Sequence, residues 1–487
     1  MATPLPANEA ALSLRDMAEA TGGTLHGSFS GLTRGISTDT RTLTSGAAFV
    51  ALKGERFDGH DHLDVAVSRG ARVLVVNRGR APSKTSAAVL EVDDTLSALA
   101  ALAGFHAQSL RARRPVPVVA VSGAVGKTST KELLRAALTA AFGPTLATEG
   151  NLNNLVGAPL TLLGLSAEHR AAVIECGSNA PGEIAKIAAM VRPDVALCTN
   201  ADAAHTEFLG SVAAVAEEEG SVFAYAQRAA VANVDEPFSR AQLERAGDTV
   251  VRWLFGEKPE ANIYIVSRKL RPDGRAEVLL SLDSTRCRGR ANLTIVTSLL
   301  GPAAATNLAA AVSATLAAGA DPTRLPAIAA ALGTVGPVPG RLVPVQLSRD
   351  VLVLDDTYNA SPRAVRLALE TARELADARR AKLVLALGDM LELGALSEDA
   401  HRAAGEGVVA ARADALVAVG PAMAEAAKVA EAAGLRVVRV AHSDEAGDRL
   451  AELVEPSTVV LLKGSRGMRL ERAMTALVGR YPLEGRD

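Results

Sequence analysis

The segment Ser122–Thr128 has the residue types and spacing of a phosphate-binding loop. It follows the apolar, β-branched stretch Val116–Val121 and reads Ser-Gly-Ala-Val-Gly-Lys-Thr. Between a buried strand and a helix, the backbone N–H groups of such a loop face phosphate oxygens. Lys127 would add positive charge at the β- and γ-phosphates, and the Thr128 hydroxyl would ligate Mg²⁺. The residues expected to bind ATP here are Gly123, Ala124, Val125, Gly126, Lys127, Thr128 and Ser129.

This loop departs from the general G-x-x-x-x-G-K-[ST] pattern at one place. Val121 stands where that pattern has its first glycine, which leaves the shorter form G-x-x-G-K-T. The alternative is an ordinary strand-to-helix turn. The buried strand before the loop and the helix expected from about Thr128 favour phosphate binding, because the chemistry needs that context.

Two polar side chains stand at the ends of the next predicted strands. Glu175 falls at the end of Ala171–Cys176, and His205 follows Val195–Asn200. In an open α/β sheet, ligands gather at the carboxyl ends of the strands, so both side chains would face the phosphate loop. A carboxylate and an imidazole there predict a Mg²⁺ site. Alternatively, Glu175 is a solvated or ion-paired surface residue and His205 has a structural role. The separate segment Glu217–Glu219 by itself indicates a solvated helix face.

The elements that would position these residues fall into three parts, separated by two joints rich in proline, glycine or arginine. The joints are Arg111–Pro117 and Gly333–Gly340, and such stretches usually lie between packed units. The predicted fold is α/β: a mixed α/β N-terminal domain at 1–112, a central P-loop domain with a parallel sheet at 113–335, and a Rossmann-like C-terminal domain at 336–487. Within the central part, short alternating segments at Val250–Val296 predict hairpins at the edge of the sheet.

The C-terminal part alternates apolar strands with helices, which predicts a parallel sheet. It contains no G-x-G-x-x-G, so a dinucleotide site is not indicated. The strands are expected at Val351–Leu354, Lys382–Leu387, Ala415–Val419, Leu435–Val440 and Thr458–Leu462.

Composition narrows the class of protein. The formal net charge is −2 and aromatic residues make up 3%, so neither a basic field nor stacking platforms point to nucleic acid. Three cysteines lie far apart, which favours a reduced compartment over a disulfide framework. The N-terminus does not resemble a signal peptide, and no apolar run predicts a membrane span. We therefore expect a cytoplasmic protein that binds neither nucleic acid nor membrane. Composition does not determine the oligomeric state, for which a monomer is the expectation.

Several segments, in order along nearly the whole chain, resemble the Mur ligases. The first is Ser37–Arg41, which looks like the uridine-binding segment of that family. The others are Gly150–Asn154 (G-N-L-N-N), Asp355–Pro362 (D-D-T-Y-N-A-S-P), Leu387–Gly394 (L-G-D-M-L-E-L-G) and Lys463–Met468 (K-G-S-R-G-M). The last four resemble the branch of the family that adds D-alanyl-D-alanine.

The resemblance implies an ATP- and Mg²⁺-dependent amide-bond ligase of cell-wall synthesis. Its substrates would be UDP-N-acetylmuramoyl-tripeptide and D-alanyl-D-alanine, joined through an acyl phosphate. The implied magnesium residues are Thr128, Glu175 and His205, and the nucleotide would also meet Asn307, Arg341 and Asp356. The implied substrate-binding residues are Ser37, Asp39, Thr40, Arg41, Asn151, Asn154, Tyr358, Asn359, Lys463, Ser465 and Arg466.

The chain departs from the family at two of these places. The asparagine near adenine usually follows G-x-H, whereas Asn307 is preceded by Gly301-Pro302-Ala303-Ala304. The family also carries a carbamylated lysine near its second Mg²⁺, and that position holds Glu219 here. We predict that Glu219 supplies the carboxylate directly or through water, since its shorter side chain loses roughly 3–4 Å of reach. On this hypothesis, Glu217 and Glu218 would serve as neutral controls.

Other functions remain open at this point. One alternative is a sister Mur-type ligase or a folylpolyglutamate-like ligase, although the D-x-Y-N-A and L-G-D-M-L-E-L-G segments argue against both. Another is a nucleotide-binding regulator that has lost catalysis, which missing metal ligands would favour. The sequence identifies neither the diamino acid at the third position of the tripeptide nor the base for the amide-forming step.

Overall fold

The computed structural model describes residues 3–55, 57–203, 206–271, 274–283 and 291–484. Within these residues, three β-sheets form in succession along the chain, flanked by α-helices. Short 3-10 turns lie at Gly59–His62, Ser221–Tyr225, Gln242–Arg245, Pro322–Arg324, Gly394–Leu396 and Arg466–Met468. No described helix is both long enough and apolar enough to cross a membrane.

The N-terminal sheet is mixed. Its strand order is β1-β5-β4-β3-β2, with β1 antiparallel to β5 and the remaining pairs parallel. A short serine-initiated helix, α1, starts this part, and Ser13 and Asp16 satisfy one another's backbone N–H groups there in a capping box. The elements are α1 (Leu14–Thr21), β1 (Thr24–His26), β2 (Ile36–Ser37), β3 (Ala48–Val50), α2 (Leu63–Ser68), β4 (Val73–Asn77), β5 (Ala88–Val92) and α3 (Thr95–Arg113).

The central sheet has the strand order β14-β13-β12-β11-β10-β9-β6-β8-β7. Strands β7 to β12 pair in parallel, and β12, β13 and β14 pair antiparallel at one edge, which confirms the hairpins predicted there. The elements are β6 (Val118–Ser122), α4 (Lys127–Phe142), β7 (Thr145–Ala147), α5 (Gly157–Leu163), β8 (Ala171–Glu175), α6 (Glu183–Val191), β9 (Val195–Cys198), α7 (Thr206–Leu209), α8 (Val212–Gly220), β10 (Ala229–Asn233), α9 (Pro237–Ala241), β11 (Val251–Gly256), β12 (Ile263–Leu270), β13 (Ala276–Leu282), β14 (Ala291–Thr297), α10 (Gly301–Ala317) and α11 (Leu325–Gly333).

The C-terminal sheet has the order β15-β16-β20-β17-β18-β19, parallel except for β15. Its five predicted strands are all present, with ends that differ by one or two residues. The elements are β15 (Val343–Leu347), β16 (Val351–Asp356), α12 (Pro362–Arg379), β17 (Lys382–Gly388), α13 (Ser397–Ala410), β18 (Ala415–Val419), α14 (Ala424–Ala432), β19 (Arg436–Val440), α15 (Ser443–Leu453), β20 (Thr458–Lys463) and α16 (Glu471–Arg480).

The first predicted joint is partly helical. Helix α3 runs to Arg113, so Arg111 lies inside its last turn, where its guanidinium contacts Asp194 over 2.8 Å. Leu99 and Leu102 of α3 are fully buried in one hydrophobic core with strands and helices of both the first and the central parts. The helix therefore packs the two parts together, which a proline-rich linker alone would not do. We keep 1–112, 113–335 and 336–487 as the proposed division.

Candidate functional site

The phosphate loop is held by the end of the neighbouring strand. Gly123 has φ of +128°, and a Cβ built there would lie 2.0 Å from the Thr199 hydroxyl, so only glycine fits. The N–H groups of Ala124 and Val125 donate to the main-chain and side-chain oxygens of Asn200 over 3.0 and 2.9 Å. Both N–H groups therefore already have an acceptor on Asn200. The donors left for a phosphate are those of the first turn of α4, which have no intrahelical acceptor.

The side chain of Lys127 folds back onto the phosphate loop. Its ammonium donates to the Gly123 carbonyl and lies 3.5 Å from Glu219 Oε1. The other carboxylate oxygen of Glu219 accepts from the Gly123 N–H over 2.5 Å. Glu219 is buried, so a carboxylate is built into the base of the phosphate loop.

The neighbouring glutamates do not form the solvated helix face that their sequence indicates. Glu217 is exposed, but Glu218 is buried and accepts from the N–H groups of Gly182 and Ile184 over 2.6 and 2.9 Å. It thereby caps the start of α6. The expectation that Glu218 is a neutral control was wrong, because it has this structural role. Only Glu217 remains as a control.

Glu175 lies beside the phosphate loop, as predicted. Its Oε1 accepts from the Thr128 hydroxyl over 3.1 Å and from the Asn153 side-chain amide over 2.8 Å. Its Oε2 is buried and has no hydrogen-bond partner among the described residues. A buried carboxylate oxygen without a partner is costly, and a cation next to Thr128 would satisfy it. The donor set fits Mg²⁺, which prefers hydroxyl, carboxylate and water oxygens.

The remaining proposed metal residue cannot be placed. His205 lies outside the described residues, although Thr206 immediately after it donates to the Leu393 carbonyl over 3.0 Å. Among the described residues, no three His, Cys, Asp or Glu side chains gather as a metal cluster.

The C-terminal part contacts the phosphate loop and the start of α4 from the opposite side of the cleft. Arg341 donates to the Thr128 hydroxyl over 3.1 Å, and its guanidinium stacks 4.6 Å from the centre of the Tyr358 ring. Asp356 at the end of β16 pairs with the buried Lys463 at the end of β20 over 2.6 Å. Lys463 also donates to the Asn359 carbonyl over 2.9 Å. These strand ends face the phosphate loop.

A cavity of ≈ 140 Å³ lies between the loop and this surface. Its polar lining includes Asn307, Arg341, Asp356 and Lys463. Asn307 Oδ1 approaches the loop so closely that a Cβ on Gly126 would lie 2.9 Å from it. The apolar wall consists of Leu299, Leu300, Ala303, Ala304, Pro337, Leu342, Ala360, Ala364 and Leu367. Such a wall suits a flat aromatic base, and the phosphate loop adjoins it.

Comparison with known proteins identifies the family. A family model described as Mur ligase middle domain matches residues 121–315, one described as Mur ligase, glutamate ligase domain matches 340–466, and one described as Mur ligase family, catalytic domain matches 33–107. The chain belongs to the Mur ligase family. A UDP-N-acetylmuramoyl-tripeptide--D-alanyl-D-alanine ligase of Escherichia coli is 38% identical over 91% of this chain and 93% of that protein. The protein of the same name from Haemophilus influenzae is 34% identical over the same shares.

Solved structures show the same Mur ligase architecture. A crystal structure of MurF from Acinetobacter baumannii covers 98% of this chain and 100% of its own, with a TM-score of 0.84 and 31% identity. The MurF ligase of Thermotoga maritima, solved in complex with ADP, covers 91% of this chain and 97% of its own, with a TM-score of 0.75 and 26% identity. The predicted three-part α/β fold is therefore confirmed.

The predicted nucleotide-sugar segment of this Mur ligase lines a separate cavity of ≈ 60 Å³. Ser37 and Thr38 border it together with Asn8 and with Leu160 of α5. Asp39 follows Thr38 along the chain, and hydrogen bonds from the Arg41 guanidinium hold the pKa of its carboxyl below the ordinary value. Thr40 and Arg41 do not line the cavity, and the Arg41 side chain is largely exposed apart from its contact with Asp39.

The three asparagines of the segment Gly150–Asn154 make different contacts. Asn154 caps α5 by accepting from the Val156 and Gly157 N–H groups over 3.1 and 2.8 Å. Asn151 accepts from the Thr3 hydroxyl over 2.8 Å. Asn153 contacts Glu175 and was missed by sequence reasoning. The sequence shows only that Asn153 belongs to the same N-L-N-N segment. It does not show which of the three side-chain amides points toward the end of β8.

A small cavity of ≈ 80 Å³ adjoins the nucleotide site and shares Asn359, Ala360 and Ser361 with it. It is bordered by the proposed substrate residues Asn359, Ser465 and Arg466. Arg466 lies 5.7 Å from the centre of the Tyr358 ring, and its side chain is more than half exposed. The apolar side of this cavity is formed by Ala203, Leu391 and Leu393. Five of the six proposed residues from Asp356 to Arg466 thus line the two adjoining cavities. The sixth, Tyr358, lines neither and contacts Arg341 and Arg466 through its ring.

Proposed function

We propose that this Mur ligase joins D-alanyl-D-alanine to UDP-N-acetylmuramoyl-tripeptide with the hydrolysis of ATP to ADP and phosphate, in the synthesis of peptidoglycan precursors. The main support is that the resemblance to ligases named for this reaction extends over about nine-tenths of both chains. The D-D-T-Y-N-A, L-G-D-M-L and K-G-S-R segments that resemble this branch also border the two adjoining cavities by the phosphate loop. The reaction needs ATP and an acceptor amine side by side, and these cavities supply such neighbouring sites.

ATP would lie with its base against the wall formed by α10 and α12 and its phosphates at the start of α4. The N–H groups of that first turn and the charge of Lys127 would stabilise the phosphates. Because Lys127 now contacts Gly123 and Glu219, binding would require its ammonium to turn toward the γ-phosphate. Arg341 contacts Thr128 from the opposite side, so it is placed to share the charge on the same phosphates.

Mg²⁺ would be held by Thr128 and Glu175, with His205 and Glu219 as further proposed ligands. When bound, the ion neutralises charge on the transferred phosphoryl group. The best support for a cation here is the buried Oε2 of Glu175, which finds no hydrogen-bond partner in the part of the chain that the structure describes. Glu219 contacts the Gly123 N–H and the Lys127 ammonium at the phosphate loop. This position suits a carboxylate that acts at a second metal through a bridging water. No bicarbonate-dependent modification would then be needed.

Two steps would complete the amide bond. First, a carboxylate oxygen of the tripeptide attacks the γ-phosphorus, the bond to the β–γ bridging oxygen breaks, and ADP leaves with the electron pair. The amine of D-alanyl-D-alanine then attacks the acyl carbon, phosphate leaves with the C–O electron pair, and the nitrogen gives up a proton. Lys127 and Arg341 stabilise the charge that develops on the transferred group, while Asn359, Ser465 and Arg466 are placed to orient the dipeptide.

Phosphate release is the deciding measurement. With ATP, Mg²⁺, the UDP-linked tripeptide and D-alanyl-D-alanine together, we expect continuous release of phosphate and a pentapeptide product visible by mass spectrometry. Omission of any one of the four should abolish turnover. A nucleotide-binding regulator would bind ATP yet release no phosphate with the full set. A sister ligase would release no phosphate with this set, because it needs a different acceptor together with a single amino acid. The cytoplasmic location and the monomeric state remain predictions.

A further inference from the structure

Lys131 is a buried cation that the mechanism above does not use. It lies on α4 three residues after Thr128, and its side chain is 1% exposed. Removing an ammonium from water is costly unless it is paired and hydrogen-bonded. The position therefore needs a reason beyond packing, since a methionine or leucine would fill the same volume without that cost.

The partners of Lys131 point to the segment after β7. Its ammonium donates to the Thr148 carbonyl over 2.6 Å and pairs with Glu132 Oε1 at 2.9 Å. Glu132 also contacts Arg135 over 3.0 Å. Although burial raises the pKa of Glu132, the nearby charge of Lys131 and hydrogen bonds from Lys131 and Arg135 outweigh it and hold that pKa below its ordinary value. The charge of Lys131 is thus balanced within the domain.

Thr148 in turn fixes the end of β8. Its N–H donates to the Val173 carbonyl over 3.2 Å, and its hydroxyl accepts from the Glu175 N–H over 2.9 Å. Thr148 is itself 1% exposed. Glu175 then accepts from the Thr128 hydroxyl, which returns the chain of contacts to α4. Helix α4, Lys131, Thr148 and Glu175 therefore form a closed ring of contacts.

We propose that Lys131 is a positioning residue for the magnesium site, acting through Thr148 on the carboxylate of Glu175. The inference rests on the proposed function, because it assumes that Thr128 and Glu175 hold Mg²⁺ with the nucleotide. Thr128 and Lys131 project from the same side of α4, as residues three apart on a helix do. The ring consequently sets the separation between the Thr128 hydroxyl and the Glu175 carboxylate. Groups that orient metal ligands in this way typically contribute about 10–100-fold to metal affinity or activity.

The test compares ADP binding with and without Mg²⁺ by calorimetry. In the wild type, Mg²⁺ should tighten ADP binding. In Lys131→Met, which keeps the length of the side chain and removes the charge, we expect the tightening by Mg²⁺ to fall about tenfold while ADP binding without metal stays within about twofold. Lys131→Arg should restore part of the effect. Lys428→Met removes an exposed lysine whose partner in the described structure is Glu425 on its own helix, and it should change neither value.

A second pair of variants avoids the removal of a buried charge. Thr148→Val deletes the hydroxyl that accepts from Glu175, and Thr148→Ser keeps it. We expect the valine variant to lose the Mg²⁺ effect and the serine variant to retain it, so this pair decides the matter if Lys131→Met does not fold. Normal Mg²⁺-dependent tightening in folded Lys131→Met or in Thr148→Val overturns the inference. Absence of any Mg²⁺ effect in the wild type overturns the proposed metal site itself.

Discussion

The guanidinium of Arg341 donates to the Thr128 hydroxyl over 3.1 Å, and that hydroxyl donates to Glu175 over 3.1 Å. One short chain of hydrogen bonds thus connects the C-terminal domain to the first turn of α4 and to the end of β8. The two parts that must act on the same phosphoryl group are joined at the residue proposed to bind the metal.

Arg341→Ala should weaken ATP binding and slow turnover together. A hydrogen bond to a charged group contributes about 1.5–3 kcal/mol, which corresponds to roughly 10–100-fold in kcat/KM for ATP. Arg341→Lys keeps the charge but loses the planar fork and the stacking on Tyr358, so it should recover only part of the activity. Steady-state phosphate release measures both variants. A change in kcat/KM below about twofold for Arg341→Ala would show that the contact is incidental.

Lys127→Ala should abolish ATP turnover and leave the fold intact. The ammonium has no packing role, because its contacts are to the Gly123 carbonyl and to Glu219 at the base of the loop. Loss of a cation that stabilises the transferred phosphoryl group typically costs several orders of magnitude in rate. Phosphate release and circular dichroism give the two readouts. Near wild-type release by the folded variant would contradict the role assigned to Lys127.

Glu219→Ala should reduce Mg²⁺-dependent phosphate release at least tenfold. Its carboxylate holds the Gly123 N–H and lies within 3.5 Å of Lys127, so its removal disturbs the loop and the proposed second metal together. Glu219→Gln separates the two roles, because an amide keeps a hydrogen-bond acceptor but not the charge. Glu217→Ala is the matched control on the exposed side of the same helix. If Glu219→Ala and Glu217→Ala have the same activity, Glu219 has no part in the site. Bicarbonate should stimulate none of these proteins.

Asp39→Ala should weaken binding of the UDP-linked tripeptide far more than binding of ADP. Asp39 follows Ser37 and Thr38, which line the N-terminal cavity, and Arg41 orients its carboxylate. This segment is far along the chain from the phosphate loop. We expect about tenfold weaker binding of the UDP substrate, the effect of losing one charge-assisted contact. Calorimetry with each ligand measures this. Equal losses for both ligands would count against a uridine-binding role for the segment.

Stability should fall as the pH is lowered from about 7 to about 5. Burial lowers the pKa of His106, which is hydrogen-bonded to the Leu165 carbonyl over 2.8 Å, and burial also lowers the pKa of His169. A histidine whose pKa is depressed on folding binds fewer protons in the folded state than in the unfolded chain. Its stabilising contribution is therefore present above the unfolded value of about 6.5 and lost below it.

His106→Gln isolates this effect. Gln keeps a neutral donor toward Leu165 and cannot titrate, so the dependence of the melting temperature on pH between 5 and 7 should flatten. His442→Gln is the control, because His442 is exposed at the start of α15. An unchanged slope in the His106 variant would show that other groups cause the acid sensitivity.

Strand and helix identity was accessible from the sequence wherever the local signal was strong. The buried apolar runs before Ser122 and Cys176 and in the C-terminal domain predicted the parallel strands to within a few residues. Strand β15 at Val343–Leu347 was missed, because it is half-exposed, contains Pro344 and lies at the edge of its sheet. A proline is tolerated at such an edge, but the same pattern also suits a loop.

By itself, the sequence determined the phosphate loop, the three-part α/β organisation and the family, because each depends on residues adjacent along the chain. Tertiary structure decided which polar side chains meet. Glu217, Glu218 and Glu219 are equivalent in sequence, yet one is exposed, one caps α6 and one supports the phosphate loop. The contact between Arg341 and Thr128 spans 213 positions of the chain. Such pairings follow from how helices and sheets pack against one another, and packing is a property of the whole chain that no local pattern records.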